Sequence, residues 1–271
     1  MSLIVNHPAP YPEVNALLRE LLQSEQTILG NHFVGMYLFG SLTSGDFDQD
    51  SDIDVVVATD DELPDDLFSA LRAMHARIAA GASWWATQLE VSYIPRHALR
   101  RHDPAGAMHP HIDRGKGDGL HMMRHDSDWV VQRYTLRERG ITLAGPAPET
   151  LIDPVSPSDL RRAMLAIMWW PTEILDDPAQ IKKRGYQSYI VLTMCRMLYT
   201  LHHGTVASKP VAARWAQEKL DERWRPLIER AVVGRQHPQA EAPSEDLNGT
   251  MDFIRYTLER SRQFEIPKNE V

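Results

Sequence analysis

Residues Met36 to Thr59 read MYLFGSLTSGDFDQDSDIDVVVAT, and this stretch decides the fold. An apolar run, Val34 to Phe39, ends in Gly40-Ser41. Ten residues separate Ser41 from Asp52-Ile53-Asp54, which feeds directly into a second apolar run, Val55 to Ala58. Alternation along a strand puts residues i and i+2 on one face, so Asp52 and Asp54 point the same way at the end of a buried strand. Two carboxylates held that close repel unless a cation lies between them. The usual occupant is Mg²⁺, a hard ion that takes oxygen ligands and leaves room for phosphate oxygens. The Gly-Ser turn upstream offers backbone N–H groups and a hydroxyl for those phosphates. Asp46, Asp48 and Asp50 read instead as a solvated acidic loop.

Working outward, the chain of 271 residues suits one large or two modest domains. Its 43% hydrophobic and 24% charged residues are ordinary for a folded soluble protein. The single cysteine, Cys195, excludes an internal disulfide and suits a reducing compartment. The N-terminus, MSLIVNHPAP, lacks the apolar core of a secretory leader. The longest apolar stretch, Tyr189 to Leu201, is too short to span a bilayer and holds Arg196 in its middle. A cytoplasmic protein without a membrane partner is expected. The net charge of −8 argues against a polynucleotide substrate, which calls for a basic face, and favours a cationic small molecule.

Helical spacing of Val14, Leu17, Leu18, Leu21 and Leu22 predicts a helix over Pro12 to Leu29. After the two strands, Leu67, Leu71, Met74 and Ile78 predict another over Asp65 to Ala80. Trp84 to Ile94 reads as a strand stopped by Pro95. His97 to Asp126, rich in Gly, His and Pro, reads as a long loop. Asp128 caps a helix to Arg139, and Ile141 to Ala144 is a short strand. Breakers then cluster at Gly145-Pro146-Ala147-Pro148 and Asp153-Pro154-Val155-Ser156-Pro157. Beyond them only helical patterns follow: Asp159 to Trp170, Gln180 to His202, Pro210 to Leu220, Arg223 to Val233 and Asn248 to Phe264. Gln236 to Asp246 reads as a mobile loop. The fold class is α+β, a small mixed β-sheet flanked by helices (residues 1–155) followed by an all-α helical bundle (residues 156–271).

A third carboxylate is expected on a neighbouring strand. In Gln88-Leu89-Glu90-Val91-Ser92-Tyr93 the polar residues alternate with apolar ones, and Glu90 completes a metal site or acts as general base. In the helical half, Tyr189 to Tyr199 is apolar nearly all round, so an arginine there, Arg196, is either paired or reaches a polar cavity. Ser208-Lys209-Pro210 marks a helix start, with Ser208 as cap. A helix N-terminus plus Lys209 is a ready anion site. Arg196 and Lys209 both suit a triphosphate.

The ordered Gly-Ser and Asp-x-Asp pair resembles the nucleotidyltransferase superfamily that includes DNA polymerase beta. The segment LTMCRMLYTLHHGTVASKPVAARWAQEKLDERWRPLIERA and the linker ITLAGPAPETLIDPVSPSDL sharpen the likeness. With LEVSYI, they are similar to the aminoglycoside adenylyltransferases that modify streptomycin and spectinomycin, from about residue 34 to 235. That resemblance implies AMP transfer from ATP to a hydroxyl of a small-molecule acceptor, at a site in the cleft between domains. It implies that Asp52 and Asp54 bind Mg²⁺, that Glu90 is the catalytic base, that Gly40 and Ser41 cradle phosphate, and that Arg196 and Lys209 contact the ATP phosphates.

The chain departs from that family in places. Where the family carries acidic residues for a cationic drug, this chain has Ile181-Lys182-Lys183-Arg184-Gly185-Tyr186, and Glu173, Asp176 and Asp177 are the nearest substitutes. Near Arg235 it offers no aromatic for adenine. The His97–Asp126 segment adds His102, His109, His111, His121 and His125 with Asp103, Asp113 and Asp126, a set read as polar loop residues or as transition-metal ligands. Trp169 and Trp170 read as packing residues. Three alternatives stay open: an enzyme of toxin–antitoxin type that adenylylates a protein, a nucleotide-binding regulator without turnover, and a nucleic-acid-tailing enzyme, the last disfavoured by charge.

Overall fold

The computed structural model describes residues 8–114 and 119–264. Residues 1–7 of the stretch read for a leader lie outside them, as do residues 115–118 of the histidine-rich segment. The chain divides into two compact units, Met1–Pro154 and Val155–Val271.

In the first unit α1 (Pro12–Leu29) leads to β1 (Phe33–Leu38), the single turn α2 (Ser41–Ser44), β2 (Ile53–Thr59), α3 (Asp65–Ala79) and β3 (Leu89–Pro95). Then come α4 (Arg96–Arg100), β4 (Met108–Ile112), β5 (His121–Arg124), α5 (Asp128–Arg139), β6 (Ile141–Ala144) and α6 (Pro148–Leu151). The strands form one mixed sheet in the order β5-β4-β3-β2-β1-β6. The α3 crossover makes β2 and β3 parallel, while the other neighbours pair antiparallel. The central strands are apolar in both registers because helices cover both faces. Met36, Leu38, Ile53, Val55, Val57, Val91 and Tyr93 share one core with Leu17, Leu21, Leu71 and Ile78 of α1 and α3. Tyr37, Phe39, Val56, Ala58 and Ile94 form the opposite layer with Leu99, Trp129, Leu136 and Ile152. Each such leucine or isoleucine contributes roughly 1.5–3 kcal/mol when fully buried.

The first core contains one polar chain. The Tyr93 hydroxyl donates to Glu25 Oε1, and His75 Nε2 lies 2.6 Å from the same hydroxyl. All three side chains are buried. Burial raises the Glu25 carboxyl from 4.5 to about 8, against the lowering effect of the Tyr93 bond, and lowers His75 to about 4. Between pH 4.5 and 8 the unfolded chain releases the Glu25 proton while the folded chain keeps it, so stability falls as pH rises through that window. Glu25→Gln is expected to flatten this decline. Urea unfolding of both proteins at pH 5 and pH 8 measures it, and an unchanged difference between the two pH values would rule the carboxyl out as its source.

In the second unit, α7 (Pro157–Ala166), α8 (Trp170–Asp176), α10 (Lys209–Lys219), α11 (Arg225–Gly234) and α12 (Ser244–Ser261) surround or adjoin the long helix α9 (Arg184–His203). A capping box between Ser156 and Asp159 starts α7, and Gly204 at φ 65 ends α9 in the left-handed conformation. No described helix is long and apolar enough to cross a membrane.

The structure corrects several expectations. Trp84–Gln88 is a short 3-10 turn rather than strand, and its aromatic content serves packing: Trp85 lies 5.4 Å from Phe47 and 5.1 Å from Tyr11, centroid to centroid. The described residues of 97–126 are not all loop, for they include most of α4 together with β4 and β5. Asp128 lies in the first turn of α5, with Ser127 at the cap position. The helix expected from Asp159 to Trp170 runs from Pro157 and stops at Ala166, since Pro171 has no N–H for the Ile167 carbonyl, and α8 begins at Trp170. The helix read from Gln180 begins at Arg184, and the one read from Asn248 begins at Ser244. The expected mobile loop at 236–246 is tied down: Arg184 N donates to Ala240 O and Ala242 N to Lys182 O, both at 2.8 Å. Trp169 is 54% exposed.

Candidate active site

The first unit brings three carboxylates together at the sheet end where β1 stops and β2 and β3 begin. Asp54 is the second residue of β2 and Glu90 the second of β3, and the parallel register sets them side by side. Asp52 precedes β2 on the same face as Asp54. Each of the three offers an oxygen within 4.8 Å of the others. Glu90 lies on an interior strand, between β2 and β4, so an exposed sheet edge does not account for it. Burial first and the Asp52 charge second raise its carboxyl to about 7, while hydrogen bonding with Asp54 pulls the other way.

The approach to this end is built by local turns. Phe39 N donates to Asp54 O at 3.2 Å, which carries the β1–β2 ladder up to the site. Gly40 then turns the chain at φ 64, ψ −138. A Cβ on Gly40 would collide with the Asp54 carboxylate. Only glycine satisfies both demands. Gly40→Ala is expected to destabilise the protein by on the order of 1–3 kcal/mol and to displace Asp54. Denaturant unfolding together with turnover tests this, and native values for both would refute the steric account. Ser41 follows with a buried Oγ that meets no hydrogen-bond partner in the described structure. Such a hydroxyl is available to a ligand. Downstream, Asp48 Oδ1 accepts from Asp50 N at 3.1 Å and from the Ser51 hydroxyl at 2.8 Å. This turn delivers the chain to Asp52, so Asp48 is a structural residue.

Sequence reasoning named His111 and Asp113 as loop residues or metal ligands without placing them beside Glu90, and it missed Arg114. His111 and Asp113 approach Glu90 from β4, each with a donor atom within 4.8 Å. Arg114 Nη1 lies 3.7 Å from Asp52 Oδ2 and 3.3 Å from Asp50 O. The signal available was the alternation of His109, His111 and Asp113, hidden by reading the segment as loop.

The second unit gathers the two predicted cations on one side of α9. Tyr189, Thr193, Arg196 and Tyr199 make an accessible stripe on a helix otherwise buried from Gln187 to Leu201, so Arg196 is not enclosed by apolar residues as its neighbours suggested. Lys209 Nζ lies 5.4 Å from the Tyr189 ring centroid, and Tyr189 is about 10 Å along the helix from Arg196. Ser208 holds the cap position of α10 without a side-chain hydrogen bond, contrary to its expected capping role. The basic stretch before α9 is partly neutralised. Arg184 pairs with the buried Asp246, which also takes Arg230 Nε at 2.7 Å.

Residues 18–104 match the family model of the nucleotidyltransferase domain, and residues 150–260 match that of the aminoglycoside adenylyltransferase C-terminal domain. The spectinomycin 9-adenylyltransferase of Campylobacter jejuni is 24% identical over 252 residues, 89% of this chain and 94% of that protein. The aminoglycoside (3'') (9) adenylyltransferase of Escherichia coli is 26% identical over 257 residues, 90% and 93% of the two chains. A crystal structure of the spectinomycin adenyltransferase AAD(9) from Enterococcus faecialis with ATP and spectinomycin matches at a TM-score of 0.69 and 19% identity. It covers 91% of this chain and 98% of that one, a likeness of fold. With a nucleotidyltransferase domain ahead of that C-terminal domain, and adenylyltransferase relatives along nearly all of its length, the chain is an aminoglycoside adenylyltransferase-like nucleotidyltransferase.

Proposed function

We propose that this enzyme transfers AMP from ATP to a hydroxyl of an aminoglycoside-type antibiotic, with spectinomycin the first acceptor to test. The observation that carries the reading is the convergence of Asp52, Asp54 and Glu90 beside the unpartnered Ser41 hydroxyl. The acceptor class comes from the relatives, named for spectinomycin and for aminoglycosides. Asp246, shared between Arg184 and Arg230, offsets only one of the positive charges at the basic stretch, so the acceptor class rests on the relatives alone.

The three carboxylates are an all-oxygen donor set, which fits Mg²⁺. Asp52 and Asp54 would hold it, with Glu90 able to share it. Bound there, it would neutralise charge on the transferring phosphate. Nucleotidyl transfer otherwise depends on positioning and on charge complementarity. In this assignment Glu90 accepts the proton of the acceptor hydroxyl, a role suited to a carboxyl raised toward neutrality. Gly40 lets the backbone approach phosphate closely, and Ser41 donates its hydroxyl. Arg196 and Lys209 bind the nucleotide's phosphates as cations. We assign these roles to Gly40, Ser41, Asp52, Asp54, Glu90, Arg196 and Lys209, within domains of residues 1–155 and 156–271.

The test incubates purified protein with ATP, Mg²⁺ and a panel of spectinomycin, streptomycin, other aminoglycosides and a metabolite extract, read by mass spectrometry. An AMP adduct on spectinomycin or streptomycin is expected. An adduct on a metabolite or on a protein, with none on any drug, would overturn the acceptor assignment.

A further inference from the structure

The β4–β5 hairpin carries four imidazoles on one face. His109 and His111 are alternate residues of β4. His121 stands opposite His111, Met123 opposite His109, and His125 continues the same alternation. This face also carries Ser92 and Glu90, because His111 is the register partner of Ser92 on β3.

His111 is 6% exposed. Its Nδ1 lies 2.7 Å from the Ser92 hydroxyl, and its Nε2 lies 3.2 Å from Asp113 Oδ1. The other Asp113 oxygen lies 3.5 Å from His121 Nε2. His121 Nδ1 donates to the Gly119 carbonyl at 3.2 Å, so its Nε2 is the nitrogen turned toward Asp113. Glu90, His111 and Asp113 each bring one donor atom within 4.8 Å of the other two. A ring fixed through one nitrogen by a polar partner, with the other turned to carboxylates, is the arrangement of a metal-bound histidine and its outer support.

We propose that Glu90, His111 and Asp113 bind a divalent transition-metal ion, with Ser92 and His121 as positioning residues. The site shares Glu90 with the Asp52–Asp54 pair and rests on the nucleotidyl-transfer reading only through that shared residue. Its donors set it apart: imidazole with carboxylates suits Zn²⁺, Co²⁺ or Mn²⁺, whereas an oxygen-only set suits Mg²⁺. An ion here engages the carboxylate assigned to the acceptor's proton, so the two uses of Glu90 compete.

The experiment titrates the full chain, without nucleotide, with Co²⁺ and follows the visible absorption of the bound ion. Wild type and Asp54→Asn are both expected to bind Co²⁺. His111→Gln and Asp113→Asn are expected to weaken binding at least about tenfold, and Ser92→Ala by about 10–100-fold. Asp113 is exposed, so Asp113→Asn keeps the test open if the buried His111 does not tolerate change. Equal affinity in wild type and Asp113→Asn overturns the site, as does the absence of a spectrum in wild type at millimolar Co²⁺. Loss in Asp54→Asn as severe as in Asp113→Asn also overturns it, by assigning the ion to the carboxylate pair. No AMP transfer with Mg²⁺ alongside an intact Co²⁺ site would defeat the functional proposal and leave this one standing.

Discussion

Asp54→Asn is expected to abolish AMP transfer while the protein stays folded. The amide matches the carboxylate in shape, so the close approach of Gly40 is undisturbed. What is lost is one charge of the set beside Asp52 and Glu90. In the proposed mechanism that charge holds the ion that neutralises the transferring phosphate, a contribution of several kcal/mol. At 1.36 kcal/mol for each factor of ten, turnover should fall about a thousandfold or more. Stability should hold or rise, since removing a carboxylate relieves repulsion among the three. Initial rates of adduct formation and a thermal melt measure both. A folded variant with turnover within about tenfold of wild type would remove Asp54 from the mechanism.

Glu90→Gln should reduce turnover by about 10²–10⁴-fold, the usual range for a general base. The pH profile separates a base from a ligand that only helps to hold the ion. A base must be ionised, so the wild-type rate rises with pH through the Glu90 ionisation. Without an ion, burial and Asp52 place that ionisation at about 7. A divalent cation beside Glu90 favours the carboxylate and moves the inflection below 7. The residual rate of Glu90→Gln should lack this rising limb. If the limb persists unchanged, the proton goes to another group.

The paired aspartates were legible because their chemistry and their period coincide. Carboxylates at i and i+2 leading into Val55–Ala58 cost energy at the end of a buried strand unless a cation binds them, and the sheet sets them beside Glu90 in register. The α+β class followed from the change of pattern at the proline-rich linker. The β4–β5 hairpin was hidden for a physical reason. Strand prediction relies on apolar alternation, yet the inward-facing side of Met-His-Pro-His-Ile is imidazole: His111 meets Ser92 and Glu90, and His109 packs against His125. Pro110 also argued against a strand, but the β3–β4 register reaches only from Ile112 to His111, so the missing N–H breaks no pairing with β3. Trp84 and Trp85 misled in the opposite direction, since aromatic residues favour strands and here serve a turn. The neutralisation of Arg184 depends on Asp246, 62 residues away in sequence, and no local pattern announces it.

The Glu25–Tyr93–His75 chain has a consequence for how reliably β3 is aligned. Successive residues of a strand face opposite ways, so a slip of one residue exchanges the two faces entirely. In β3 such a slip would drive Glu90 into the layer beneath α1 and α3 and turn Leu89 or Val91 toward Asp54. It would also carry Tyr93 away from both its partners, orphaning a buried carboxyl and a buried imidazole together. The polar chain on the far face of the sheet thus works as an alignment key, read once during folding, that excludes the frame in which the third carboxylate is missing.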